Sequence, residues 1–148
     1  MEIEITERKM IMTLIYPVIF TVTHDKKDTY LIEIPDIKGM TEGHGLEDAY
    51  RMARDYIGCA LYDKPDNLIP EASVLSDIDV KKGEFAGEGD SFVSLVDLNL
   101  DVFRRKMNNK SVRRNVSIPA WLNQAADEAH INVSRVLQDA LMEKLGVL

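Results

Sequence analysis

Arg113, Asn115 and Ser117 stand at alternate positions of the stretch Val112–Ile118. Successive side chains of a β-strand point to opposite faces. A strand here would therefore put these three on one face and Val112, Val116 and Ile118 on the other. Arginine can bond guanine O6 and N7, asparagine can bond adenine N6 and N7, and a two-stranded ribbon fits the major groove of duplex DNA. These residue types at this spacing are suited to reading bases. Further along, Ser134 is a reasonable N-cap for a helix. The first amides of that helix, with Arg135 beside them, would form a phosphate site.

Other residue types with chemical potential lack the spacing to act together. Cys59 is the lone cysteine, which rules out an internal disulfide and a cysteine-built zinc site. It is expected to pack within a helix, since no partner base is identifiable. His24, His44 and His130 have no metal-ligand spacing and read as loop or surface histidines. Trp121, after Pro119, reads as a packing anchor between domains or subunits. Neither a metal nor a cofactor is expected.

The elements that must position these residues follow from composition and period. Leu14–Thr23 and Thr29–Ile34 are rich in β-branched and aromatic residues. Joined by the polar His24–Asp28, they read as a β-hairpin. Pro35 ends the second strand, having no amide hydrogen for a ladder. Met40–Glu42 reads as a third strand. Leu46–Asp63 changes to helical spacing, with Leu46, Ala49, Tyr50, Ala53, Tyr56, Ile57, Ala60 and Leu61 on one face. Glu47 and Arg51 form a candidate i,i+4 pair on the other. Asn67–Gly89 is loop-like, with a short strand expected within Val74–Val80, and Ser91–Phe103 reads as a strong strand. Residues 104–111 suit a linker. A strand over Val112–Ile118 and two helices, divided at Asn132-Val133-Ser134, complete the chain. The class is α+β: an N-terminal sheet with one helix over 14–103, then a strand–helix–helix unit over 112–148. Met1–Lys9 alternates briefly and is given no function.

The charge is unevenly divided. The 148 residues carry 18 Lys and Arg against 25 Asp and Glu, a net of −7. The first hundred have 10 basic and 20 acidic residues, a net of −10; the last forty-eight have 8 and 5, a net of +3. Arg104, Arg105, Lys106, Lys110, Arg113 and Arg114 lie close together in that tail. A basic segment can approach phosphates, and an acidic domain attracts basic proteins. No apolar run approaches the roughly 20 residues of a membrane helix. Met1–Met12 holds three Glu and no signal-peptide core, so the cytoplasm is the expected location.

The C-terminal unit cannot bury a core alone. It holds about 35 residues, below the roughly 40 at which a domain usually needs metal, disulfides or oligomerisation. Symmetric pairing of two copies through 112–148 is the economical solution, with an antiparallel ribbon laid over four helices. Further association into tetramers is the alternative stoichiometry.

The run from Ser111 through Leu122, with Asn132-Val133-Ser134-Arg135 later, resembles the ribbon-helix-helix repressors. The polar–apolar strand ends in Pro119 and an Asn-Val-Ser-Arg turn joins the helices, as in that family. The segment Ile34-Pro35-Asp36-Ile37-Lys38-Gly39-Met40-Thr41-Glu42-Gly43-His44-Gly45-Leu46-Glu47-Asp48-Ala49 resembles the signature of HicB-type antitoxins, as does Ile69-Pro70-Glu71-Ala72-Ser73. The resemblance implies a partial RNase H-like N-terminal domain that binds a small basic mRNA-cleaving toxin of the HicA type. It also implies a C-terminal ribbon-helix-helix domain that binds operator DNA and represses the shared operon. Arg113, Asn115 and Ser117 would meet bases, Ser134 and Arg135 phosphate.

Three function classes follow. An antitoxin captures a protein partner without turnover. A DNA-binding regulator carries a small-ligand sensor at its N-terminus. A metal-dependent RNase would bring several carboxylates onto two metal ions; Asp25, Glu33, Asp36, Asp48 and Asp97 are candidates by type, though nothing in their spacing makes them converge. The expectation is a non-enzymatic antitoxin.

Overall fold

The structure, a computed structural model, describes residues 12–147. These fall into two compact units that divide after Asn109. The reading of Met1–Lys9 lies outside the described residues.

The first unit is α+β, as the composition predicts. Its strands are β1 (Thr13–Thr23), β2 (Thr29–Ile34), β3 (Gly39–His44) and β4 (Gly89–Asn99), in the order β3-β2-β1-β4 with every pairing antiparallel. Helix α1 (Leu46–Leu61) packs on one face. Alternation along β1 sends Tyr16, Val18 and Phe20 into the core, where they join Ile32, Ile34 and Val96. From α1, Ala49, Ala53, Ile57 and Leu61 complete it. Small residues at the first two positions let the helix approach the sheet. Phe20 stacks on Tyr50 with centroids 4.8 Å apart, and Tyr50 Oη bonds Ser94 Oγ. The positive φ of Gly45, 85°, turns β3 into α1 at a conformation glycine adopts without a Cβ penalty.

The opposite face is also covered at Pro17, Ile19 and Thr21, which are buried. The long connection from Tyr62 to Glu88 is fixed by polar contacts. Tyr16 Oη donates to the Pro70 carbonyl, Asp36 accepts from the Ser73 amide at 2.9 Å, and Glu33 accepts from the Glu84 amide at 2.9 Å. Burial first, then the nearby Asp36 carboxylate, pushes the Tyr16 phenol above its ordinary pKa.

Several local expectations are corrected. Val74–Val80 is not a strand: the segment forms 3-10 turns at Leu75–Asp77 and Val80–Lys82. The strand expected to reach Phe103 ends at Asn99, and helix α2 (Leu100–Met107) follows. Asn99 Oδ1 accepts the Val102 amide at 3.1 Å and stops the strand by capping the helix. Residues 104–107, expected as linker, are the last turn of α2, where Arg104, Arg105 and Lys106 suit the negative end of the helix dipole. On α1, Arg51 pairs with Asp48 rather than Glu47. Leu46, expected on the buried face, is exposed, and so is Cys59, which the helical turn carries away from Ile57 and Gly58. Partial desolvation of the thiol, then Asp55, pushes the Cys59 pKa up.

The second unit has helices α3 (Ala120–Glu128) and α4 (Val133–Leu145). Residues 112–118 pair in no ladder with any of the described residues. The strand expected over Val112–Ile118 is therefore absent among the described residues, and the segment runs without regular secondary structure into α3.

Candidate nucleic-acid interface

Arg113, Asn115 and Ser117 are exposed in the segment leading to α3, and Lys110 and Arg114 are exposed beside them. Val112, Val116 and Ile118 are exposed as well, Val112 at 88%. The apolar set on the helices shares that state. Trp121 is 70% exposed, and Leu122, Val136, Leu141 and Leu145 are all open to solvent. Among the described residues, none from 110 to 147 is buried.

The turn between α3 and α4 is tightly specified. The His130 amide donates to Asp127 and the Ile131 amide to Ala126, with His130 in the left-handed region at φ 54°. That pair of bonds is the Schellman arrangement, which satisfies the last carbonyls of a helix. The chain is then released at Asn132, whose Oδ1 accepts the Arg135 amide at 3.1 Å. Asn132 is thus the N-cap of α4, and the role expected of Ser134 is corrected: Ser134 lies inside the first turn. Asn and Ser cap almost equally well, so residue preference alone did not separate them. The left-handed His130 decides where the next helix starts.

The cap consumes the Arg135 amide. The Val133 and Ser134 amides are left without an intrahelical acceptor, at the positive end of the helix dipole. The Arg135 side chain lies 3.2 Å from Asp139, both largely exposed.

Arg104 leaves the basic cluster that the sequence suggests. Its guanidinium bonds the Tyr62 carbonyl at 3.0 Å, the Lys64 carbonyl at 2.8 Å and the Asp66 carboxylate at 2.9 Å. It fastens α2 to the segment after α1. Arg105 bonds the Asp101 carbonyl at 3.3 Å.

The candidate nuclease carboxylates serve separate tasks. Glu33 and Asp36 hold the long connection, Asp48 accepts the His44 amide at 2.8 Å, and Asp97 binds Arg54 at 3.0 Å. Asp25 lies in the turn between β1 and β2. Among the described residues no three His, Cys, Asp or Glu side chains form a metal-binding group. His24, His44 and His130 are exposed. No helix among these residues is long and apolar enough to cross a membrane.

Comparison with known proteins adds a family. Residues 16–141 match the model described as HicB-like antitoxin of bacterial toxin-antitoxin system. A chain of a toxin–antitoxin complex from Streptococcus pneumoniae shares the fold at TM-score 0.57 and 22% identity, over 90% of this chain and 99% of that one. The Burkholderia pseudomallei antitoxin HicB superposes at TM-score 0.43 and 23% identity, over 90% of this chain and 97% of that one. No curated protein matches the chain.

Proposed function

This chain belongs to the HicB-like antitoxin family of bacterial toxin–antitoxin systems, and from that premise we propose that it neutralises a small HicA-type mRNA-cleaving toxin and represses its own operon. The toxin partner falls to the acidic N-terminal unit, residues 14–103. Operator binding falls to residues 112–148, acting as a ribbon-helix-helix pair in the cytoplasm.

The observation that carries the DNA-binding half is the unburied state of 110–147. Val112, Val116 and Ile118, and the helix faces around Leu122, Val136 and Leu141, have no cover among the described residues. Apolar area removed from water contributes roughly 25 cal/mol per Å². A second copy supplies such cover and leaves Arg113, Asn115 and Ser117 facing outward. Ser134, through its amide, and Arg135 then meet phosphate at the start of α4.

The N-terminal half acts by binding rather than turnover. Four of its five candidate carboxylates, Glu33, Asp36, Asp48 and Asp97, are tied to structural partners. Its net negative charge suits a basic protein and steers association with one. Co-expression with the adjacent small basic reading frame tests this: rescue of growth and co-purification are expected. A purified chain that cleaves RNA with Mg²⁺ or Mn²⁺, and loses this on Asp36→Asn, would contradict it.

A further inference from the structure

Arg114 is the one charged residue on the apolar side of its segment. Alternation over 112–118 groups it with Val112, Val116 and Ile118, not with Arg113, Asn115 and Ser117. It is exposed. The carboxylates of this unit stand away from the apolar helix faces. On α3, helical period turns Asp127 and Glu128 from the side of Leu122 and Ala126. On α4, Asp139 lies 3.2 Å from Arg135, and Glu143 only flanks the apolar face, three residues after Ala140.

In the two-copy ribbon proposed above, these positions restrict how the strands can be matched. A two-fold axis at Arg113 or Arg114 would set like guanidinium groups opposite one another, and directly opposed like charges are destabilising. An axis at Val116 leaves only 114–118 to pair, because the Pro119 carbonyl already accepts the Leu122 amide at 3.0 Å and the Asn123 amide at 3.1 Å at the start of α3. An axis at Asn115 pairs all of 112–118. It sets Val112 opposite Ile118 of the second copy, and Arg114 opposite its Val116.

A guanidinium on that side is costly to bury without a carboxylate. Its aliphatic stem can cover Val116 while the charged head leaves at the outer edge of the strand. In a ribbon seated in the major groove, the two outer edges face the phosphates that wall the groove. We propose that Arg114 fixes the register about Asn115 and grips one backbone phosphate per copy, its fork matching two phosphate oxygens. Arg113 reads a base and Arg114 reads none. The assignment rests on the DNA-binding reading above and adds the contact that holds Asn115 over its base pair.

Fluorescence anisotropy of the full chain tests it, on the upstream DNA, on a scrambled duplex and on duplexes altered one base pair at a time. Arg114→Gln should weaken binding to all of them by the same factor. Losing one phosphate per copy flattens the log–log salt slope by about 1.8, so between about 50 and 200 mM salt the variant's affinity should fall about twelvefold less than that of the wild type. Arg114→Lys, which keeps the charge, should restore most of the slope. In a Cys59→Ser background, Asn115→Cys should cross-link to itself on mild oxidation, since directly opposed Cα atoms lie about 4.5–5.5 Å apart. A cross-link from Arg114→Cys instead would move the axis and overturn the register. An unchanged slope for Arg114→Gln, with the preference for upstream DNA intact, overturns the phosphate contact and leaves the DNA-binding reading standing. A loss confined to one base pair makes Arg114 a base contact and overturns it as well. So does a fall in the urea midpoint matched by Glu143→Gln, which would make Arg114 half of an ion pair between copies. Equal wild-type affinity for the upstream and scrambled duplexes overturns the DNA-binding reading itself, and the assignment with it.

Discussion

The Phe103 ring occupies the space that a Cβ on Gly58 would need: such an atom would lie 2.3 Å from Phe103 Cε2. A glycine inside α1 costs about 1 kcal/mol of helix propensity relative to alanine. The benefit is the close seat of α2. Gly58→Ala should therefore destabilise the unit despite improving the helix. In a Phe103→Ala background the same change should stabilise by up to about 1 kcal/mol. Urea denaturation of the four proteins checks the reversal of sign, and parallel effects in both backgrounds would refute the contact.

Asp48 makes α1 sensitive to acid. The His44 amide, first, and the Arg51 guanidinium hold its carboxyl below the usual range. A depressed folded-state pKa means that the unfolded chain takes the proton more readily. The stabilisation is complete above the ordinary carboxylate pKa, about 3.9, and is lost as pH falls through the depressed value. Asp48→Asn should lower the urea midpoint at pH 7 and make its fall on acidification shallower. An acid limb identical to wild type would show that the carboxylate does not contribute.

Asn132 and Ser134 can be separated by truncation. Asn132→Ala should cost about 1 kcal/mol, the usual value of a lost N-cap, while Ser134→Ala should cost a few tenths. Hydrogen exchange of the α4 amides reports both. Equal losses, or a larger one at Ser134, would return the cap to Ser134.

Arg104 and Arg113 should divide stability from recognition. Arg104→Ala removes three bonds that anchor α2 and should cost about 1–2 kcal/mol of stability with DNA affinity unchanged. Arg113→Ala should do the reverse. Thermal melts paired with DNA titrations of each variant decide. A clear loss of DNA affinity for Arg104→Ala would show that it meets DNA and is not only an anchor of α2.

Much of this was legible in the residues. The β-branched composition of Leu14–Thr23 and Thr29–Ile34 located β1 and β2, and the three-four spacing of Ala49, Ala53, Ile57 and Leu61 located α1 and its buried face. α2 was not legible. Val96, Leu98 and Leu100 continue the alternation of a strand, and only the Asn99 cap, with Asp101 in the next turn, breaks it. Leu75 and Val80 look strand-like, but each sits in a 3-10 turn. For the candidate site, strand alternation groups Arg113, Asn115 and Ser117 in the sequence; the structure finds all three exposed, in a segment without a strand. Arg104 falls in the basic cluster with Arg105, Lys106, Lys110, Arg113 and Arg114 because proximity in sequence says nothing about the carbonyls of Tyr62 and Lys64 that hold it.

The account stands or falls on whether the C-terminal pair reads duplex bases. Fluorescence anisotropy of the full chain, against the DNA upstream of its own operon and a scrambled duplex, measures this directly. Binding to the upstream DNA should be at least about a thousandfold tighter. Its logarithm should fall with log salt at a slope near −0.9 per phosphate neutralised. Asn115→Ala should remove about 1–3 kcal/mol of discrimination at a single base pair. Equal affinity for both duplexes, or a uniform loss on every sequence with Asn115→Ala, would contradict the claim.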